Sequence, residues 1–282
     1  MKNFIIRTIT AVFFVAAIVT CFLRPEAMIL LFALVTGLTV WEFTGLVNEK
    51  EYVTINRMIC TVAGVYFFFA MAGYNSGLTP ATVFIPYLVS IIYLLIAELY
   101  LIHDDPINNW AYTMMSQIYI ALPFSLLNVL AFRSAGSDIQ YTYLIPLSVF
   151  VFLWINDTGA YICGSLLGKN KLFPRISPGK SWEGSIGGGL LVIAVAVLVW
   201  YLTEKYEVNE LGLNAYEWAG LGLTVVVFGT WGDLVESLFK RTLGIKDSGN
   251  ILPGHGGMLD RFDSSLMAIP AAVVYLYTLT LF

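Results

Sequence analysis

Gly232-Asp-Leu-Val-Glu-Ser-Leu-Phe-Lys-Arg241, continuing as Thr242-Leu-Gly-Ile-Lys-Asp-Ser-Gly-Asn-Ile-Leu-Pro-Gly-His-Gly-Gly-Met-Leu-Asp-Arg-Phe-Asp-Ser264, holds much of the charge of a chain that otherwise reads as lipid-soluble helix. Asp233, Glu236, Ser237 and Lys240 fall at i, i+3, i+4 and i+7, so a helix continuing the preceding apolar run puts them on one face. The pattern fails at Gly244, and Gly249, Pro253, Gly254, Gly256 and Gly257 predict a connection without regular structure. Glycines there let a backbone approach a ligand and turn its N–H groups toward anionic oxygens. Asp260 and Asp263, three apart, are expected to face one way near the N-terminus of the next apolar run. Two acidic faces flanking a cationic glycine loop predict a phosphate and divalent-metal site if the two helices pack antiparallel. Taken one at a time, the same charges could equally solvate a loop and cap two helix ends.

The rest of the chain is apolar enough to set its class. Of its 282 residues 58% are hydrophobic and 12% charged, with a mean hydropathy of +0.78; soluble domains run at roughly 45–50% apolar and about 25% charged. The composition predicts an all-α, polytopic membrane protein. A net charge of −4 gives no ground for nucleic-acid binding. Cys21, Cys60 and Cys163 have unrelated spacings, which excludes a CxxC metal or redox motif and a disulfide framework. The N-terminal run has Lys2 and Arg7 ahead of it but no small-x-small cleavage site, and Thr20 before Cys21 does not suit a lipoprotein signal; it reads as a first membrane helix.

Against the roughly 20 apolar residues needed to cross a bilayer, nine runs stand out, near 4–23, 27–47, 56–73, 81–102, 110–132, 141–164, 186–203, 216–239 and 264–282. They predict one membrane domain, 1–282, with N-terminal helices over 1–140 and a catalytic half over 141–282 whose cytoplasmic loops are 165–185 and 240–263. With the N-terminus inside and the C-terminus outside, twelve Lys and Arg fall on the inner side and three, Arg24, Arg133 and Lys205, on the outer side. That bias puts the glycine loop in the cytoplasm.

Other polar residues are harder to read. Glu42 and Glu98 lie in apolar runs, where a carboxylate costs about 2.5–3.5 kcal/mol on insertion scales and so marks either function or an interhelical hydrogen bond. His103-Asp104-Asp105 is followed at once by Pro106 and reads as a helix end rather than a metal cluster. Asn156, Asp157 and Tyr161 sit near the cytoplasmic end of the sixth run and could bind nucleotide, metal or a neighbouring helix. A second cationic, glycine-bearing loop follows, with Lys169, Ser177, Gly179, Lys180, Ser181 and Glu183. Gly179-Lys180-Ser181 is not a P-loop, because Pro174 occupies the position that needs glycine and no strand is predicted before it. Gly187-Gly188-Gly189 is expected to open the seventh helix and let neighbours approach.

Ser237, Lys240-Arg241, Lys246-Asp247, Pro253-Gly254-His255-Gly256-Gly257, Asp260-Arg261 and Asp263 resemble, in order and spacing, the signature of the phosphatidate cytidylyltransferases, or CDP-diacylglycerol synthases. Asn156-Asp157-Thr-Gly-Ala-Tyr161 and Ser177-Pro-Gly-Lys180-Ser181-Trp-Glu183-Gly are similar to the same family. The resemblance covers 156–188 and 232–264; the first half of the chain is matched only in hydropathy. It implies an integral enzyme of the inner membrane, if bacterial, that joins CTP to phosphatidic acid, giving CDP-diacylglycerol and pyrophosphate, and that works as a homodimer with its site facing the cytoplasm.

On that reading Asp233 and Asp260 hold a divalent metal such as magnesium, with Asp263 as a further ligand. Lys240, Arg241, Lys246 and Arg261 hold the lipid phosphate and triphosphate, while Lys169 and Lys180 reach the departing pyrophosphate. Asp247 completes the catalytic set. Ser237, Asn156, Asp157, Tyr161, Ser177, Ser181, Glu183, Gly254, Gly256 and Gly257 line the substrates, and His255 either donates to a phosphate or shapes a turn. A CTP-dependent lipid kinase shares part of the signature. A CDP-alcohol phosphatidyltransferase would need an Asp-Gly-x-x-Ala-Arg motif that is absent, and a transporter would carry its charges near the bilayer midplane rather than at cytoplasmic helix ends.

Overall fold

A computed structural model describes the backbone of residues 2–135, 138–208, 212–249 and 256–279, and the side chains of these from Val12 onward except Ser134 and Ala135. The helices are α1 (Lys2–Phe22), α2 (Pro25–Val47), α3 (Arg57–Asn75), α4 (Ile85–Tyr100), α5 (Pro106–Met115), α6 (Leu122–Ala131), α7 (Leu144–Leu167), α8 (Trp182–Lys205), α9 (Ala215–Thr242), α10 (Leu259–Phe262) and α11 (Ser265–Leu279). Among the described residues eight helical stretches are long and apolar enough to cross a membrane: Pro25–Val47, Arg57–Asn75, Ala81–Tyr100, Pro106–Ala131, Leu144–Leu167, Trp182–Lys205, Ala215–Thr242 and Leu259–Leu279. Such helices satisfy every backbone N–H and C=O within the segment, which lipid demands.

The chain divides into two compact units: Met1–Pro146 with Thr242–Phe262, and Leu147–Arg241 with Asp263–Phe282. Thr242–Phe262, part of the signature, thus falls in the same unit as the N-terminal helices. The physical reason lies in contacts of the first unit. Phe262 of α10 is 2% exposed and packs its ring 5.4 Å from Phe124, 6.1 Å from Phe32 and 5.6 Å from Phe14. Aromatic pairs at these separations add to the area they bury.

Local chemistry explains most element starts in that unit. Pro25 opens α2 with Glu26 in its first turn. Asn56 caps α3 by accepting from the Ile59 N–H at 3.0 Å. Asp105 caps α5 through the Asn108 N–H at 3.1 Å, so the acidic pair after His103 starts a helix instead of ending one. His103 Nδ1 lies 2.9 Å from Glu98 Oε2, and Asn109 Nδ2 donates to the same oxygen at 3.2 Å, which gives Glu98 polar partners at the end of its helix. The span Pro106–Ala131 is interrupted by a π-helical segment, Ser116–Ala121. Pro123 just beyond it has no N–H for the helical ladder and its ring crowds the preceding turn, which favours the wider segment.

Two short antiparallel ribbons qualify the all-α expectation. β1 (Phe132–Ala135) pairs with β2 (Asp138–Tyr141), and β3 (Lys171–Phe173) pairs with β4 (Ser177–Ser181). The loop expected over 165–185 is thus partly a ribbon, and α8 begins at Trp182 rather than 186. Ser181 sets that start, its Oγ accepting from the Gly184 N–H at 3.2 Å.

In the second unit small residues bring backbones together, as membrane helices require. A Cβ on Gly188 of α8 would stand 2.7 Å from the Asn156 carbonyl oxygen of α7, and one on Gly232 of α9 would stand 2.7 Å from the Asp263 carbonyl oxygen. Both contacts are with main chain, which cannot swing aside. Trp218 of α9 is fully buried and meets Phe152 of α7 edge-on at 6.5 Å.

Candidate active site

Asp233 lies on α9 where the helical spacing expects it. Ser237, one turn on, donates its Oγ to Asp233 Oδ1 at 3.1 Å, and the next pair, Lys240 and Glu236, closes at 2.6 Å with Glu236 fully buried. The polar face read from the sequence is therefore real. The second cationic segment supplies Lys180 from β4, whose Nζ is 2.6 Å from Asp233 Oδ2 with both side chains half-buried.

Asp263 occupies the turn between α10 and α11, where its Oδ1 accepts from the Ser264 N–H at 2.6 Å. A carboxylate that binds the backbone locally competes with the helical ladder. That is why Asp260 and Asp263 do not share one continuous helix, contrary to expectation. Asp263 lies within electrostatic reach of Asp233, Asp157 and Lys180. Beside Asp157 on α7, Asn156 is buried, and its Oδ1 has no hydrogen-bond partner.

The ribbon that carries Lys180 is held by Glu183. Its carboxylate accepts from the Lys169 N–H at 3.2 Å, the Asn170 N–H at 3.1 Å and Asn170 Nδ2 at 2.7 Å. Lys169 itself is exposed, Ser177 pairs with Phe173 across the ribbon, and Tyr161 is 78% exposed. Arg241 is exposed at the end of α9.

The remaining signature residues belong to the first unit. Lys246, Asp247 and Arg261 are exposed. Asp260 turns inward on its own loop, Oδ2 accepting from the Ser248 N–H and the Gly257 N–H at 2.8 Å each. Gly256 has φ +81°, a left-handed conformation that favours glycine. Gly254 and His255 lie outside the described residues. The loop has a further partner that sequence reasoning left open: Glu42 of α2, 6% exposed, accepts from the Met258 N–H at 2.8 Å and the Leu259 N–H at 3.0 Å. Its only signal in the sequence is a carboxylate inside an apolar run.

The donor set of the second unit suits a hard divalent cation. Asp263 has the carboxylates of Asp233 and Asp157 and the ammonium of Lys180 within electrostatic reach, and the buried Asn156 Oδ1 lacks a donor among the described residues. Oxygen ligands with excess negative charge are what magnesium takes. Among the described residues no three His, Cys, Asp or Glu side chains close into a ready-made metal cage.

Comparison with known proteins gives the same direction. The model of the cytidylyltransferase family matches residues 5–279. The phosphatidate cytidylyltransferase of Staphylococcus aureus (strain COL) is 31% identical over 268 residues, and that of Staphylococcus haemolyticus (strain JCSC1435) is 33% identical over 274. A third, from Staphylococcus epidermidis (strain ATCC 12228 / FDA PCI 1200), is 32% identical over 268 residues. Each match covers 94% of this chain and 96% of the relative.

Proposed function

We propose that this chain, which belongs to the cytidylyltransferase family, transfers the cytidylyl group of CTP to phosphatidic acid, giving CDP-diacylglycerol and pyrophosphate. The observation that carries the proposal is the match along nearly the whole chain to proteins named phosphatidate cytidylyltransferase. The Lys180–Asp233 ion pair, with Asp263 in electrostatic reach of it and of Asp157, supports it from the side of chemistry.

The reaction brings two polyanions together, so repulsion is its first barrier. A phosphate oxygen of the lipid forms a bond to the α phosphorus of CTP. The bond from that phosphorus to the oxygen bridging α and β breaks, and pyrophosphate leaves with the electron pair. Phosphomonoesters have a second pKa of about 6, so the lipid phosphate is largely a dianion at neutral pH and no general base is required. Counter-charge and alignment are what the protein must supply.

Asp233 and Asp263, with Asp157 and Asn156 nearby in the same unit, would hold magnesium. When bound, the ion would neutralise phosphate charge and fix phosphate oxygens. Lys180, held on its ribbon by the Glu183 network, and Lys169 would meet the departing pyrophosphate. Lys240, Arg241, Lys246 and Arg261 would hold phosphate oxygens, with Asp260 ordering its glycine loop for the same purpose. Roles for Asp247, Tyr161, Ser177, Ser181, Gly254 and His255 rest on the resemblance alone, as does a homodimer.

The acceptor tests the chemistry. Purified protein in lipid micelles with CTP and magnesium is expected to consume CTP with phosphatidic acid and not with diacylglycerol. Turnover on the alcohol in place of the phosphate would favour a lipid kinase.

The proposed arrangement has nine spans in a cytoplasmic membrane, with the N-terminus and the catalytic loops inside. It is supported by α1 and by the distribution of Lys and Arg. With Cys21, Cys60 and Cys163 replaced by alanine, Tyr206→Cys is expected to react with an impermeant thiol reagent in intact cells. Lys171→Cys, exposed on the other side of α8, is expected to react only after lysis. The reverse pattern would overturn the orientation and the cytoplasmic site together.

A further inference from the structure

Glu42 is a carboxylate near the end of an apolar helix, about two hundred residues from the loop it binds. Its Oε2 accepts from the Met258 N–H and its Oε1 from the Leu259 N–H, and Ser248 Oγ donates to Oε1 as well. The Ser248 hydroxyl in turn accepts from the Asp260 N–H at 3.3 Å. A polarised chain therefore runs from the Asp260 N–H through the Ser248 hydroxyl to Glu42. The Ser248 N–H returns to Asp260 Oδ2, which the Gly257 N–H also reaches.

Two glycines belong to the same construction. A Cβ on Gly249 would stand 2.9 Å from Glu42 Oε2, and one on Gly257 would collide with the Glu42 carboxylate and with Ser248 Oγ. Both flanks of the loop, Ser248–Gly249 and Gly257–Leu259, are thus fitted to one side chain. A buried carboxylate is costly unless it is fully hydrogen-bonded, and here three donors converge on it.

We propose that Glu42 is a positioning residue of the reaction: it ties the two flanks of the signature loop to α2 and thereby holds the loop that Asp260 orders in place for the CTP phosphates. Its kinetic consequence rests on the cytidylyl-transfer reading; the anchoring does not. Glu42→Gln keeps the shape but turns an amide donor toward at least one of the loop donors, so the anchor loses an acceptor and gains a conflict. Ser248→Ala removes one arm and leaves the carboxylate with two backbone donors.

Both effects can be measured on the full-length protein in lipid micelles. With Cys21, Cys60 and Cys163 replaced by alanine, Met258→Cys reports loop attachment, because residue 258 is 8% exposed when anchored. Glu42→Gln is expected to raise the rate of thiol modification at 258 roughly tenfold, the scale of one lost hydrogen bond to a charged group. It is also expected to raise the CTP concentration for half-maximal turnover about tenfold, a shift that mere loss of folded enzyme cannot produce. Ser248→Ala is expected to move both in the same direction by less, and it carries the test if Glu42→Gln does not fold.

Unchanged modification rates in either folded variant would overturn the anchor. Faster modification with an unchanged half-saturating CTP concentration would overturn the positioning role. If the parent protein makes no CDP-diacylglycerol at all, the failure belongs to the proposed function, and the modification rates still decide the anchor.

Discussion

Asp233→Asn is expected to lower turnover by about 10²- to 10³-fold, the scale of removing one charge-stabilising group from a preorganised site, while the protein inserts and purifies as before. The stability half of this expectation follows from the surroundings. Asp233 is half-buried and its partners are Lys180 at 2.6 Å and the Ser237 hydroxyl at 3.1 Å. Partly exposed ion pairs contribute about 0–1 kcal/mol, so the helix tolerates the loss.

The catalytic half follows from charge. The neighbourhood holds Asp157, Asp233 and Asp263 against Lys180, and asparagine at 233 removes the carboxylate that this lysine and a metal would share. Raising magnesium is expected to recover part of the activity, since the remaining carboxylates still attract the ion. Asp260→Asn is expected to be impaired by less, because its amide oxygen can still accept from the Ser248 and Gly257 N–H groups but without the charge that strengthens those bonds. Glu204→Gln, near the far end of α8, is expected to be nearly silent. Full turnover by Asp233→Asn at saturating magnesium would remove that residue from the proposed metal site.

The long helices were legible because a bilayer imposes one strong rule, a run of about 20 apolar residues, and α2, α3, α7, α8 and α9 each follow it. The polar face of α9 was legible for a related reason: helical spacing alone places Ser237 on Asp233 and Lys240 on Glu236. The β3–β4 ribbon was not. Ser177-Pro-Gly-Lys-Ser181 has neither alternation nor β-branched residues, so nothing in it signals a strand. The break between α10 and α11 was missed because spacing treats Asp263 as a surface residue, whereas one of its carboxylate oxygens accepts from the Ser264 N–H.

The hardest part to read was the partnership of Glu42 with the loop at 248–259, and that of Lys180 with Asp233. Each joins segments remote in sequence, and a single chain offers no periodicity that would connect them. What the sequence does offer is the anomaly itself, a carboxylate where the lipid should forbid one. The structure converts that anomaly into three hydrogen-bond donors converging on one side chain.

The claim that the chain is a cytidylyltransferase rests finally on which bond of CTP breaks. Transfer of the cytidylyl group cleaves between the α and β phosphorus, so the α phosphorus enters the lipid and the outer two leave as pyrophosphate. A kinase cleaves between β and γ, so only the γ phosphorus enters the lipid and CDP leaves. A phosphatidate dianion is already a nucleophile, and the carboxylates of Asp157, Asp233 and Asp263 with Lys180 on its ribbon, all of the second unit, would supply metal binding and counter-charge for two phosphorylated reactants. The direct measurement gives the purified protein phosphatidic acid, magnesium and CTP labelled at either the α or the γ phosphorus. The expected result is α label in the lipid product, no γ label in any lipid, and one pyrophosphate for each nucleotide consumed. Label from the γ position in a lipid, with CDP as the co-product, would contradict the account.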